Sequence, residues 1–153
     1  MSTKAESADL IMKLYDLRRE KKMRKARNWI FGFNPTSADE IMQTMMDQEV
    51  GPYLRMVTSY WDMAATFVNQ GAIDAEMFAQ TAGEHVMVFA KVEPFLAEMR
   101  EKFQMPQAFA NLEKAIMDMP DGAERVKKTQ EWMKTIQDQM AAAQGDRKAE
   151  AAS

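Results

Sequence analysis

Seven basic side chains are gathered near the start of the chain: Arg18, Arg19, Lys21, Lys22, Arg24, Lys25 and Arg27, with Glu20 the one acid among them. Trp29, Ile30, Phe31 and Phe33 follow directly. Drawn as a helix, the segment sets Met23, Ala26, Trp29, Ile30 and Phe33 on one side and cations around the rest. Such a surface attracts anions, and it suits a nucleic-acid backbone, an anionic membrane surface or an acidic protein groove. Arg18, Arg19, Lys21, Lys22, Arg24, Lys25, Arg27 and Trp29 are therefore the candidate binding residues.

The same run could instead lie against the acidic remainder of its own chain. Residues 1–33 hold nine Lys/Arg and four Asp/Glu, a net of +5, whereas residues 34–153 hold eleven and nineteen, a net of −8. The whole chain carries −3. What separates the two readings is which basic residues have an internal acidic partner.

Other chemistry finds little to work with. His85 is the only histidine, beside Glu84 on the apolar stripe of a helix, where a hydrogen-bonded core histidine is the expectation. A di-iron centre would need Glu-x-x-His pairs on two helices, but position 82 is alanine and no second histidine exists. The five serines lack a strand-turn-helix elbow, and the six glycines stand singly, so neither a Ser-His-acid nucleophile nor a phosphate cradle is expected. With no cysteine, thiolate metal sites, disulfides and thiol nucleophiles are excluded. Met42, Met45 and Met46, from sixteen methionines, have the i, i+3, i+4 spacing of a buried stripe rather than of a thioether metal site. The expectation is a non-enzymatic protein with no cofactor and no metal.

The elements that carry these residues are helical throughout, because apolar spacing near 3.6 recurs and β-alternation does not. An all-α, single-domain bundle of five to six helices with a long kinked helix is expected: residues 1–6 flexible, 7–143 the bundle, 144–153 a disordered tail. Ser7 reads as the first N-cap, followed by the stripe Leu10, Ile11, Leu14, Tyr15 and Leu17. That stripe turns near residues 19–22 into Met23, Ala26, Trp29, Ile30 and Phe33, so the first helix bends there or faces two neighbours. Ser37 and Glu40 form a capping-box pattern, and Gly51-Pro52 opens a third helix that is apolar over more than half its circumference and so central.

Gly71 ends that helix, with Asp74 capping the next and Ile73 and Phe78 as its hydrophobic staple. The stripe Phe78, Ala82, His85, Phe89, Val92, Leu96, Met99 and Phe103 predicts one helix kinked at Pro94. A fifth helix opens at Pro106 and ends at Pro120-Asp121-Gly122, and Asp121 reads as the cap of the sixth. There Val126, Met133 and Met140 are seven apart, with Thr129, Ile136 and Ala143 between them: a short seam of heptad type. No signal peptide and no membrane-spanning run is present, which fits a cytoplasmic protein.

Leu14-Tyr15-Asp16-Leu17-Arg18-Arg19, the Phe33-Asn34-Pro35 exit and Tyr60-Trp61-Asp62-Met63-Ala64 resemble a family of uncharacterised bacterial helical proteins of unknown function. The resemblance covers roughly residues 10–100. It implies a bacterial, helical protein and carries over no activity. The functional expectation is an interaction module or small accessory subunit, with a protein partner or self-association ahead of nucleic acid and an anionic membrane surface.

Overall fold

Apolar residues at helical spacing become eight α-helices, with no strand, in the computed structural model, which describes residues 1–153. They are α1 (Lys4–Arg18), α2 (Lys21–Phe31), α3 (Ala38–Met46), α4 (Gly51–Asn69), α5 (Ala75–Thr81), α6 (Glu84–Lys102), α7 (Ala110–Met117) and α8 (Gly122–Ala152). The all-α, single-domain expectation holds, but the number of helices is eight rather than five to six. Two of the expected helices are each divided into two.

The first division falls at Arg19 and Glu20, where the Glu20 carboxylate leaves its helix and accepts from the Met23 N–H at 2.9 Å, starting α2. The turn lets Met23, Ala26, Ile30 and Phe33 enter the core while Tyr15 and Leu17, expected inside, stay exposed. The second falls at Ala82 and Gly83, both in extended or irregular backbone, and not at Pro94. The expected kinked helix is thus a short α5 and an uninterrupted α6, with Pro94 inside α6 on its exposed side. Having no N–H, Pro94 cannot bond the Ala90 carbonyl, which accepts instead from Gln130 Nε2 of α8 at 3.2 Å. The same amide donates to Glu93 Oε2 at 2.8 Å, so the proline marks where α8 is pinned to α6.

α4 is the central helix and packs against α2, α3, α5 and α7, while α6 meets α3, α7 and α8. Leu54, Val57, Trp61, Ala64 and Ala65 of α4 are buried with Phe89, Val92, Leu96 and Met99 of α6. α4 ends in a Schellman turn: Gly71 has φ +77°, and the Ala72 and Gly71 N–H groups reach the Phe67 and Val68 carbonyls. Asp74 then caps α5 through the Met77 N–H at 2.9 Å, with Ile73 and Phe78 both buried beside it.

Other ends differ from the sequence reading. Thr3, not Ser7, caps α1 in a full capping box with Glu6, while Ser7 is buried and accepts from the Asp74 N–H at 2.9 Å. Residues 1–6, expected flexible, include the start of that helix, and Lys4 pairs with Asp74 at 2.7 Å. Ser37 Oγ takes the Glu40 N–H, but the Glu40 carboxylate turns to Thr36 rather than closing the box. α7 begins at Ala110 after left-handed Phe109, and Asp62 of α4 serves as its cap by accepting from the Leu112 N–H at 2.9 Å. Asp121 is also left-handed and its side chain makes no cap hydrogen bond, while a Cβ at Gly122 would collide with the Ile116 carbonyl, so the turn requires glycine there. Residues 144–153, expected disordered, continue α8 as a fully exposed helix to Ala152.

His85 departs from expectation in a different way. It is buried to 1% exposure against Phe78 (4.9 Å between ring centroids) and Trp61 (5.5 Å), yet neither ring nitrogen has a hydrogen-bond partner. Burial, together with the Arg125 and Arg18 cations and only partly opposed by Glu84, pushes its pKa down to about 4. The unfolded chain therefore binds a proton that the folded one refuses between pH 6.5 and 4, and stability falls as pH drops through that window. His85→Phe removes two unpaired polar atoms from an aromatic cluster. Thermal unfolding should show it equal to or about 1 kcal/mol more stable than the parent at pH 7, with the advantage growing as pH falls from 6.5 to 4.

Candidate functional site

The basic segment is built at the α1–α2 elbow, and its seven cations do not act together. Arg27 turns inward, and its Nε donates to both Glu84 oxygens at 3.0 and 2.9 Å while Nη2 lies 2.8 Å from Oε2. Arg18 reaches the same carboxylate at 3.6 Å and lays its guanidinium over the Trp61 ring, 5.3 Å from the centroid. The Trp61 indole N–H donates to Glu84 Oε1 at 3.1 Å. Tyr60, the neighbour of Trp61, donates its hydroxyl to the Leu14 carbonyl of α1. The Arg27 guanidinium is held above its ordinary pKa by the Glu84 hydrogen bond, and burial raises the Tyr60 phenol to about 12.

Glu84 can do this because it is the first residue of α6, where the positive end of the helix favours a carboxylate. The Gly83 break aims that end at the elbow. One carboxylate thus joins α1, α2, α4 and α6.

The remaining five cations, Arg19, Lys21, Lys22, Arg24 and Lys25, are exposed and have no carboxylate within ion-pair distance. Arg19 and Arg24 line an open groove of about 560 Å³ with Asp16, Leu17 and Glu20. Leu17 and Phe31 flank the patch at 55% and 57% exposure. Trp29 belongs to the body instead, half-buried and stacked on Phe33 at 5.0 Å with Tyr53 at 6.3 Å. The candidate set therefore divides: Arg18, Arg27 and Trp29 hold the fold, and five cations face outward.

Lys91 was not singled out by the sequence, yet it is buried at the end of α2. Its ammonium donates to the Phe33 carbonyl at 2.8 Å, to Asn34 Oδ1 at 3.0 Å and to the Phe31 carbonyl at 3.4 Å. With no carboxylate beside it, burial lowers its pKa to about 8. It satisfies carbonyls left over where α2 stops, a structural task. Glu84 was legible only as the neighbour of His85, and the one available signal was its place directly after a glycine in an apolar stripe.

The profile described as "Domain of unknown function (DUF4760)" matches residues 3–119. The chain belongs to the DUF4760 family. No curated protein and no solved structure matches it. The DUF4760 region takes in α1 to α7, including the elbow and the Glu84 node, and stops at Met119, so α8 lies wholly outside it. No helix of the chain is long and apolar enough to cross a membrane.

The node makes a direct energetic prediction. Glu84→Gln keeps the shape but leaves two partly buried guanidinium groups without a counter-charge. Denaturant unfolding should show a loss of about 3 kcal/mol, and Tm should fall by roughly 10 °C. Lys25→Ala, on the outer side of the elbow, should change stability by less than about 0.5 kcal/mol.

Proposed function

We propose that this chain is a non-enzymatic helical interaction module, a small accessory subunit of a bacterial cytoplasmic assembly, that docks protein through the distal half of α8. The observation that carries the reading is the exposure of that helix. α8 spans 31 residues, but only Gly122 and Val126 are buried, and every residue from Gln137 onward is exposed. At 1.5 Å per residue, about 24 Å of helix extends past the body. A segment of that length is marginal alone in water, so a docking partner would supply what holds it.

The seam continues across the boundary. Val126 and Met133 pack on the body and Ile136 is half-buried, whereas Met140 (60% exposed) and Ala143 lie on the same face beyond it. Trp132, at 51%, stands at the margin. From Gln137 onward both signs are present, with Arg147 and Lys148 among Asp138, Asp146 and Glu150. An antiparallel copy centred on Ala143 sets Asp138 opposite Lys148 twice over, which favours a second copy of the chain as the occupant.

Sedimentation of the full chain across the micromolar range tests this. Self-association is expected, lost in Met140→Glu and in Asp138→Lys, and regained when Asp138→Lys is combined with Lys148→Asp. A protein that stays monomeric, and that recovers no stoichiometric protein partner in a pull-down, overturns the reading.

A second reading rests on the elbow, where five unpaired cations lie beside exposed Leu17 and Phe31. That combination favours an anionic polymer or membrane surface. Binding to duplex DNA, RNA and anionic vesicles should weaken steeply with salt, with a log-log slope of about −4.5 on DNA if all five cations touch phosphate. Lys21, Lys22 and Lys25 reversed together to Glu should abolish it. A flat salt response disposes of this reading.

A further inference from the structure

A cavity at one end of the bundle belongs to neither docking surface. It lies between the end of α4, α5, α7 and the start of α8, with a volume of about 850 Å³, within the usual range of small-molecule sites. Val68, Phe78, Ala79, Ala115 and Met119 give it an apolar wall. Phe78 is buried and packs with Trp61 and His85 at 6.3 and 4.9 Å between ring centroids, so this part of the wall belongs to the core.

Four charged side chains line the same cavity: Glu76, Lys114, Asp118 and Arg125. Lys114 and Asp118 pair with each other one turn apart on α7 and its end, and so cancel. Arg125 has no carboxylate within ion-pair distance, and its guanidinium is the free cation of the wall. Glu76 is the opposing charge. It stands in the first turn of α5, where its carboxylate interacts with the positive end of its own helix, and it accepts from Gln80.

We infer that this cavity binds a small amphipathic carboxylate, with its anionic head on Arg125 and its apolar body against Phe78 and Met119. A free guanidinium beside an apolar wall of this size lacks one thing, a carboxylate attached to an apolar group, and arginine is the side chain best suited to take it in two hydrogen bonds. The inference is independent of the proposed docking through α8, because the cavity is formed by residues 68–125 and not by the distal helix.

Titration calorimetry of the full chain with 2-naphthoate, against the neutral 2-naphthylmethanol, tests it. One saturable site is expected for the carboxylate, with a dissociation constant below about 1 mM, the least a ligand of this size gives in a fitted pocket. The alcohol should bind more weakly. Arg125→Gln should weaken the carboxylate by about tenfold and leave the alcohol unchanged, whereas Glu76→Gln should tighten the carboxylate by removing the opposing charge. Ala79→Trp, which fills the cavity, should abolish both. Arg125 and Glu76 are exposed, so their variants keep the fold and decide the matter even if Ala79→Trp does not fold. No saturable binding, equal binding of the two probes, or carboxylate binding untouched by Arg125→Gln overturns the assignment.

Discussion

A single carboxylate, that of Glu84, is where the architecture converges. It sits at the start of α6 and is taken up by Arg27 from α2, Arg18 from α1 and the Trp61 indole from α4. Its side chain is 15% exposed, and those of Arg18 and Arg27 are 18% and 26%. Charges so far from water are stable only while they are paired. The arrangement therefore works less as a source of net stability than as a condition on shape: α1 and α2 can close on the bundle only where both guanidinium groups find the same acid. The break at Gly83 leaves the first N–H groups of α6 free beside that charge, whereas in a continuous α5–α6 helix they would bond the preceding turn.

This constraint changes the meaning of the basic segment. Seven clustered cations look like one surface, but two of them are consumed as the fold's own fastening and five remain. The elbow in the chain is what separates them, because α1 ends before its apolar stripe has turned and α2 restarts with Met23, Ala26 and Ile30 facing inward. α8 shows the opposite economy. Val126 and Met133 pack with the core, Gln130 takes the α6 carbonyl that Pro94 leaves free, and from Gln137 onward every residue is exposed.

The all-helical class, the central α4, the Gly71 turn and the Asp74 cap were legible because each depends on neighbours within a few residues: apolar spacing, a left-handed glycine, a carboxylate three residues before a free N–H. What escaped the sequence depends on distant partners. Asp62 caps α7 from another helix, Ser7 serves Asp74 rather than its own helix, and the pairing of Arg18 and Arg27 with a glutamate some sixty residues away leaves no local trace. Pro94 carries a local signal, the hydrogen bond it withholds from Ala90, but that Gln130 of α8 takes up the freed carbonyl depends on a distant residue. His85 was expected to find a hydrogen bond because most buried histidines do, and the rings of Trp61 and Phe78 leave it none.

The central claim is that the Glu84 carboxylate holds α1 and α2 on the α4–α6 body as one unit. Native-state hydrogen exchange of the parent and of Glu84→Gln measures this helix by helix. The account predicts that the variant loses protection in α1 and α2 together, by more than in α3 or α7, because both guanidinium groups lose the same partner. Loss confined to the first turn of α6, with α1 and α2 as protected as in the parent, would contradict it.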